Sequence, residues 1–177
     1  LEVAPKQDHG PQDVHQSSLI DGNKVHAFDI DVSGWKELYL TIGHGGNGDG
    51  NDHGGWFEPT LGKKDGTVVK LTELKWSKAT QGWGKTGVGI SPTGAKLRRS
   101  DKKPMAFGIG SHSVSVITYK KLPADVTRFK CMAGLADTHR GGRVRFYVSN
   151  KVIKKFAGGG KTKIAEGPHA TPNAATI

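Results

Sequence analysis

Between Val25 and Val32 apolar and polar residues alternate: His26, Phe28, Ile30 and Val32 share one face, and Asp29 and Asp31 point the other way. A period of two marks a strand with one buried face, and it cannot supply the stripe that a helix needs. The pattern returns at Leu38, Leu40 and Ile42, and further strands are expected at Val68 to Trp76, Ser113 to Tyr119, Thr127 to Ala133, Val144 to Val148 and Val152 to Phe156. Ser33 and Gly34 between the first two strands predict a hairpin. No segment offers three helical turns of apolar stripe. The 26 glycines and 8 prolines put turn signals between short elements at roughly ten-residue spacing. The expectation is an all-β chain folded as a β-sandwich or jelly roll.

At 177 residues the chain suits one domain with an ordinary core. Residues 1–22, polar and carrying Pro5, Gly10 and Pro11, read as an N-terminal arm or linker; 23–157 as a single sandwich; and 158–177, rich in Gly, Ala, Pro and Thr, as an irregular tail. No apolar run reaches eighteen residues, so no membrane-spanning helix is expected. A chain that opens on Leu1 without a signal-like stretch reads as a mature fragment or a piece of something longer. A lone cysteine, Cys131, excludes an internal disulfide framework, and its place between Phe129 and Ala133 in an alternating run makes it a buried small hydrophobe.

Lysine and arginine number 26 against 16 acidic residues, a formal net charge of +10. Nucleic acid is disfavoured as a partner, because aromatics are 7% and no recognised binding motif accompanies the lysines. The basic residues Lys63, Lys64, Lys96, Arg98, Arg99, Lys102 and Lys103 read either as a solvated surface or as contacts for an acidic polymer.

Two segments could carry chemistry. His44 to Gly55 is rich in glycine and reads as a loop, in which Asp49, Asn51 and Asp52 supply the hard oxygens that calcium prefers; a solvated turn is the alternative. Trp56, flanked by glycine and followed by Glu58, offers an apolar ring beside hydrogen-bonding groups, a combination that suits a sugar. Trp83 between Gly82 and Gly84 is similar material, whereas Trp35 and Trp76 read as packing. The second segment, Phe107 to Ser113, places His112 after Gly108 and Gly110, at a junction of loop and strand. The third glycine and the helix of a dinucleotide fingerprint are missing, so that reading fails. No pair of acids, nucleophile with base, or closed metal set can be assembled, and no enzyme activity is expected.

These two segments together resemble the NPCBM family of carbohydrate-binding modules, which are galactose-binding-like jelly rolls. Phe107-Gly108-Ile109-Gly110-Ser111-His112, continuing through Tyr119, Leu122-Pro123, Arg128-Phe129, Gly134-Leu135-Ala136-Asp137 and Val144-Arg145-Phe146, is similar to the family's Gly-Ile-Gly-x-His block and the strands after it. Asp31 to Gly34, Glu37-Leu38, Leu40 and Asn51-Asp52-His53-Gly54-Gly55-Trp56 are similar to its Asp-His-x-x-Trp block. The blocks stand in the reverse of the family's usual order, which a circularly permuted single sandwich would explain, and Ser113 replaces the family's alanine after the histidine. The resemblance implies sugar binding near the two blocks, through His53, Trp56, Glu58 and His112; Trp83 stays a candidate on its glycine setting alone.

Three functions follow as expectations. The first is a noncatalytic carbohydrate-binding module, extracellular or periplasmic, for a galactose-type sugar or a sulfated or uronic polysaccharide. The second is a structural or interaction module packed on neighbouring domains of a larger protein, with no sugar binding retained. The third, nucleic-acid binding, rests on charge alone.

Overall fold

In a computed structural model the described residues are 11–157, which form two antiparallel sheets packed face to face. In chain order the strands are β1 (Val14–Gln16), β2 (Ile20–Asp21), β3 (Val25–Asp31), β4 (Leu38–His44), β5 (His53–Lys63) and β6 (Val68–Lys70). They continue as β7 (Lys78–Thr80), β8 (Gly87–Val88), β9 (Gly108–His112), β10 (Ser115–Tyr119), β11 (Val126–Leu135) and β12 (Arg143–Ser149). One sheet runs β1-β12-β4-β10-β7, with β2 also on β12; the other runs β3-β11-β5-β9-β8, with β6 on β5. The chain is an all-β sandwich, as its alternation predicts.

The core lies between the sheets. Leu38, Leu40 and Ile42 of β4, with Val144, Phe146 and Val148 of β12, face Phe28 and Ile30 of β3, Trp56 and Leu61 of β5, and Phe129, Cys131 and Ala133 of β11. The Cys131 thiol is buried, and desolvation pushes it well above its ordinary range, as an inert packing residue requires.

Several expectations need correction. β3 and β4 do not form a hairpin: β3 pairs with β11 over seven residues and β4 pairs with β12 and β10, so Ser33 to Lys36 carries the chain from one sheet to the other. The glycine-rich loop ends at Asp52, and Gly54, Gly55 and Trp56 already belong to β5. Gly54 is there for close packing, since a Cβ would lie 2.6 Å from Ile42 Cδ1. The stretch after Trp56 continues as strand because β5 bulges at Glu58, which sits at φ 50° where the register against β11 shifts. Val68 to Trp76 contributes only β6 before a 3₁₀ turn at Leu71–Glu73, and Lys154–Phe156 is a 3₁₀ turn rather than a strand. Within the expected arm, β1 and β2 are paired to β12 and therefore belong to the sandwich. The rest of that arm, residues 1–10, and the expected tail 158–177 lie outside the described residues. No helix among the described residues is long and apolar enough to cross a membrane.

Candidate functional site

The two sequence blocks meet side by side. β5 pairs with β9 so that His53 lies directly opposite His112, and their ring centroids are 5.5 Å apart. Cross-strand partners point to the same face. Here that face is the outer one, because Gly54 and Trp56 occupy the inner face of β5 and His53 differs from each by an odd number of residues.

Over the two imidazoles the β7–β8 connection lays Trp83. Its ring is stacked on His53 at 5.6 Å with an interplanar angle of 8°, and it meets His112 nearly edge-on at 5.6 Å and 60°. Trp83 is 54% exposed, whereas His53 and His112 are 5% and 4%. The loop can hold this position because Gly82 passes so close to the Ser113 carbonyl that a Cβ would collide with it. Gly84 adopts φ +65°, which side chains disfavour. Gln81 pins the same turn by donating from Nε2 to the Gly84 carbonyl at 3.1 Å.

The rings form one wall of a depression of about 590 Å³, open to solvent, which Asp49, Asn51, Thr93, Thr138 and Arg140 also line. Its polar groups are fixed. His53 Nδ1 shares a 2.8 Å hydrogen bond with Thr138 Oγ1, and His112 Nδ1 lies 2.7 Å from the Ser113 carbonyl oxygen. A carbonyl can only accept, so Nδ1 of His112 is the donor in this bond and Nε2 is the ring's remaining polar atom. Burial lowers the His53 pKa to about 4, helped by repulsion from His112, His139 and Arg140 and opposed by Asp52. At neutral pH His53 is an uncharged ring that can both donate and accept.

The site residues expected from sequence divide sharply. His53, His112 and Trp83 come together, and Asp49 and Asn51 line the same depression. Trp56 does not: it is fully buried, its ring 5.0 Å from Phe146 and 6.1 Å from Phe28, so it is a core residue with no face free for a sugar. Glu58 does not line the depression either; it stands at the bulge and its Oε1 accepts a 3.0 Å hydrogen bond from the Ala106 N–H. Thr138 and Arg140, absent from the sequence-based set, belong to a polar loop 85 residues from His53. No periodicity or motif marks that loop.

Asp52 has another duty. Its carboxylate is completely buried; Oδ2 accepts from Ser113 Oγ at 2.6 Å and Oδ1 from the Arg143 N–H at 2.9 Å. Both oxygens are thus committed to tying the glycine-rich loop to β12 and to the end of β9. Among the described residues no three His, Cys, Asp or Glu side chains converge as a metal site. With Asp52 held by the protein itself, Asp49 and Asn51 are the members of the expected calcium set that line the depression. His44 Nδ1 also approaches Ser113 Oγ at 3.1 Å, giving a Ser, His and Asp in mutual contact. That cluster is not built for nucleophilic attack: Ser113 is fully buried, and Asp52 bonds the serine itself instead of the far nitrogen of the histidine.

The basic residues singled out in the sequence stand away from the depression. Arg99 is nearly buried, paired with Asp101 at 2.6 Å, and its guanidinium lies over the Phe57 ring. Lys63 and Lys64 are at the opposite end of β5. Arg140 is the cation among the lining residues, and Asp49 offsets it.

No curated protein and no solved structure matches the chain. A family model, the NPCBM/NEW2 domain, matches residues 7–62 and 67–164, with His53 in the first stretch and His112 in the second. That match spans well over half of the sequence, and the chain belongs to the NPCBM/NEW2 family of carbohydrate-binding modules.

Proposed function

We propose that the depression over His53 and His112 binds a neutral pyranose of galactose type, without catalysis, and that the module works outside the cytoplasm, in an extracellular or periplasmic setting. The observation that carries this reading is Trp83: a large ring left 54% exposed in a depression otherwise lined by hydrogen-bonding groups. An indole face takes the C–H face of a sugar, and the hydroxyls around it need donors and acceptors at fixed positions. His53, His112, Asn51 and Thr138 supply these, and Arg140 adds a charged donor. One lining cation against one acid does not select a polyanion, so the sulfated or uronic partner suggested by the net charge has no counterpart here.

Calorimetry against a panel of neutral and anionic monosaccharides and short oligosaccharides, run with and without chelator, tests the reading. The expected result is binding that chelator leaves unchanged and that Trp83→Ala weakens by about tenfold or more, a loss of about 1.4 kcal/mol or greater. Binding that ignores Trp83→Ala, or none to any glycan, would sink it.

A further inference from the structure

At the far end of the sandwich three connections converge on a second depression, of about 480 Å³. The β3–β4 crossover brings Trp35 and Lys36, the β5–β6 turn brings Lys64, and the β10–β11 loop brings Lys120, Lys121 and Pro123. β5 separates this end from His53 by its eleven residues, roughly 35 Å of extended chain. The floor is apolar, because Trp35 and Leu122 are half-buried and pack on the main core. The rim is cationic, since all four lysines are exposed and none takes part in an ion pair among the described residues.

Asp31, Glu37 and Asp65 stand in the flanking turns, where they accept from the Ser33 N–H, the Tyr39 hydroxyl and Thr67, and none of them lines the depression. Asp125 alone lines the depression with the lysines, leaving four positive groups against one negative. Like charges drawn to one concave surface raise the local potential, and an oxyanion placed among them relieves that repulsion. Lysine acts as a point charge reaching from a flexible stem, and suits carboxylate or sulfate groups scattered around a ring.

We propose that this depression is a second binding site, separate from the one over His53 and His112, which takes a sulfated or uronic glycan. The ring's apolar face rests on Trp35 and Pro123, and its anionic substituents meet Lys36, Lys64, Lys120 and Lys121. The lysines line one local concavity, open to solvent and large enough for a sugar ring. A nucleic-acid backbone would call for a basic track along the surface.

The test uses heparin oligosaccharide as the anionic probe, uncharged dextran and a single-stranded DNA oligonucleotide as comparisons, and calorimetry at about 0.1 M salt, where exposed charges act over roughly 10 Å. Heparin is expected to bind, and K36S/K64S/K120S/K121S to weaken it by at least about tenfold with an unchanged melting curve. Removing equal charge elsewhere, in K85S/K96S/R98S/K102S, is expected to leave most of the affinity. Trp83→Ala is expected to leave heparin binding intact, so failure of the sugar site at the other end would not be mistaken for failure of this one. No heparin binding, equal loss in the two quadruple variants, or tighter binding of the DNA through the same four lysines would each overturn the assignment.

Discussion

The two faces of β5 show how one strand can serve both the core and the surface. On the inner face, Gly54 and Trp56 are matched in volume: the glycine leaves room for Ile42 and the indole fills the space against Phe146 and Phe28. On the outer face His53 is also almost inaccessible, yet it is surrounded by polar partners and capped by an exposed ring. Burial alone therefore does not separate structural from functional residues along this strand. The separation lies in what each side chain is buried against: Trp56 meets apolar rings and Phe57 a separate apolar cluster, whereas His53 meets Thr138, His112 and an exposed indole.

The sharpest way to break that contrast is at Trp56. Trp56→Ala is expected to cost about 3–5 kcal/mol of stability, read from denaturant melts, because the cavity lies in the centre of the core. Trp56→Phe is expected to cost much less, since Nε1 is a buried donor with no partner among the described residues and its removal leaves nothing unpaired. If Trp56→Phe instead abolished sugar binding while stability held, the inner face would have a functional role that its burial denies.

Asp52 sits where the two faces are joined, at the entry to β5. Asp52→Ala should cost about 2–3 kcal/mol, because in a buried site it strands the Arg143 N–H without an acceptor and leaves the Ser113 hydroxyl with His44 Nδ1 alone. Asp52→Asn keeps one acceptor oxygen and should lose roughly half as much. Neither loss should be restored by added calcium, and stabilisation of the wild-type chain by millimolar calcium would show that the loop holds the ion after all.

Much of this arrangement could be read in the sequence, and the exceptions have physical causes. The alternation of β3, β11 and β12 gave their faces directly, as did the burial of Cys131. Parity along β5 also placed Trp56 opposite to His53, but only once the segment is taken as a strand, and its glycines signal a loop. Those glycines mark close packing between layers, a cause that composition cannot distinguish from a turn. The β3–β4 connection failed for a related reason: Gly34 at φ +77° suits a hairpin or a crossover equally, and the choice is made by pairing with β11, almost a hundred residues away. Thr138 and Arg140 were invisible because their position depends wholly on where the β11–β12 loop lands.

The outer face has a pH signature that the inner face lacks. His53 has a folded pKa near 4, against an ordinary value of 6.5, so the unfolded chain takes up its proton first as pH falls. Stability from this group is present above about pH 6.5 and is lost progressively down to about pH 4, by on the order of 2–3 kcal/mol. Melts at a series of pH values should show that slope flattened in His53→Gln, whereas sugar affinity should hold through most of that window and fall only near pH 4, where the folded His53 acquires charge. An unchanged slope in the variant would move the cause to another group, with His139, lowered chiefly by its own burial, the next to examine.

The smallest expected effect lies at Glu58, where the bulge ends the regular alternation of β5. Glu58→Ala removes the acceptor for the Ala106 N–H, an exposed hydrogen bond worth about 1 kcal/mol or less, because water replaces it. Glu58→Gly removes the same bond but relaxes a side-chain-bearing residue held at φ 50°, and should be the more stable of the two variants. Both should bind sugar as the wild type does. A loss of affinity in either would mean that the bulge transmits to His53 through the β5–β9 pairing. The outer face would then be one continuous functional surface from His53 to Glu58, rather than a site confined to its first residue.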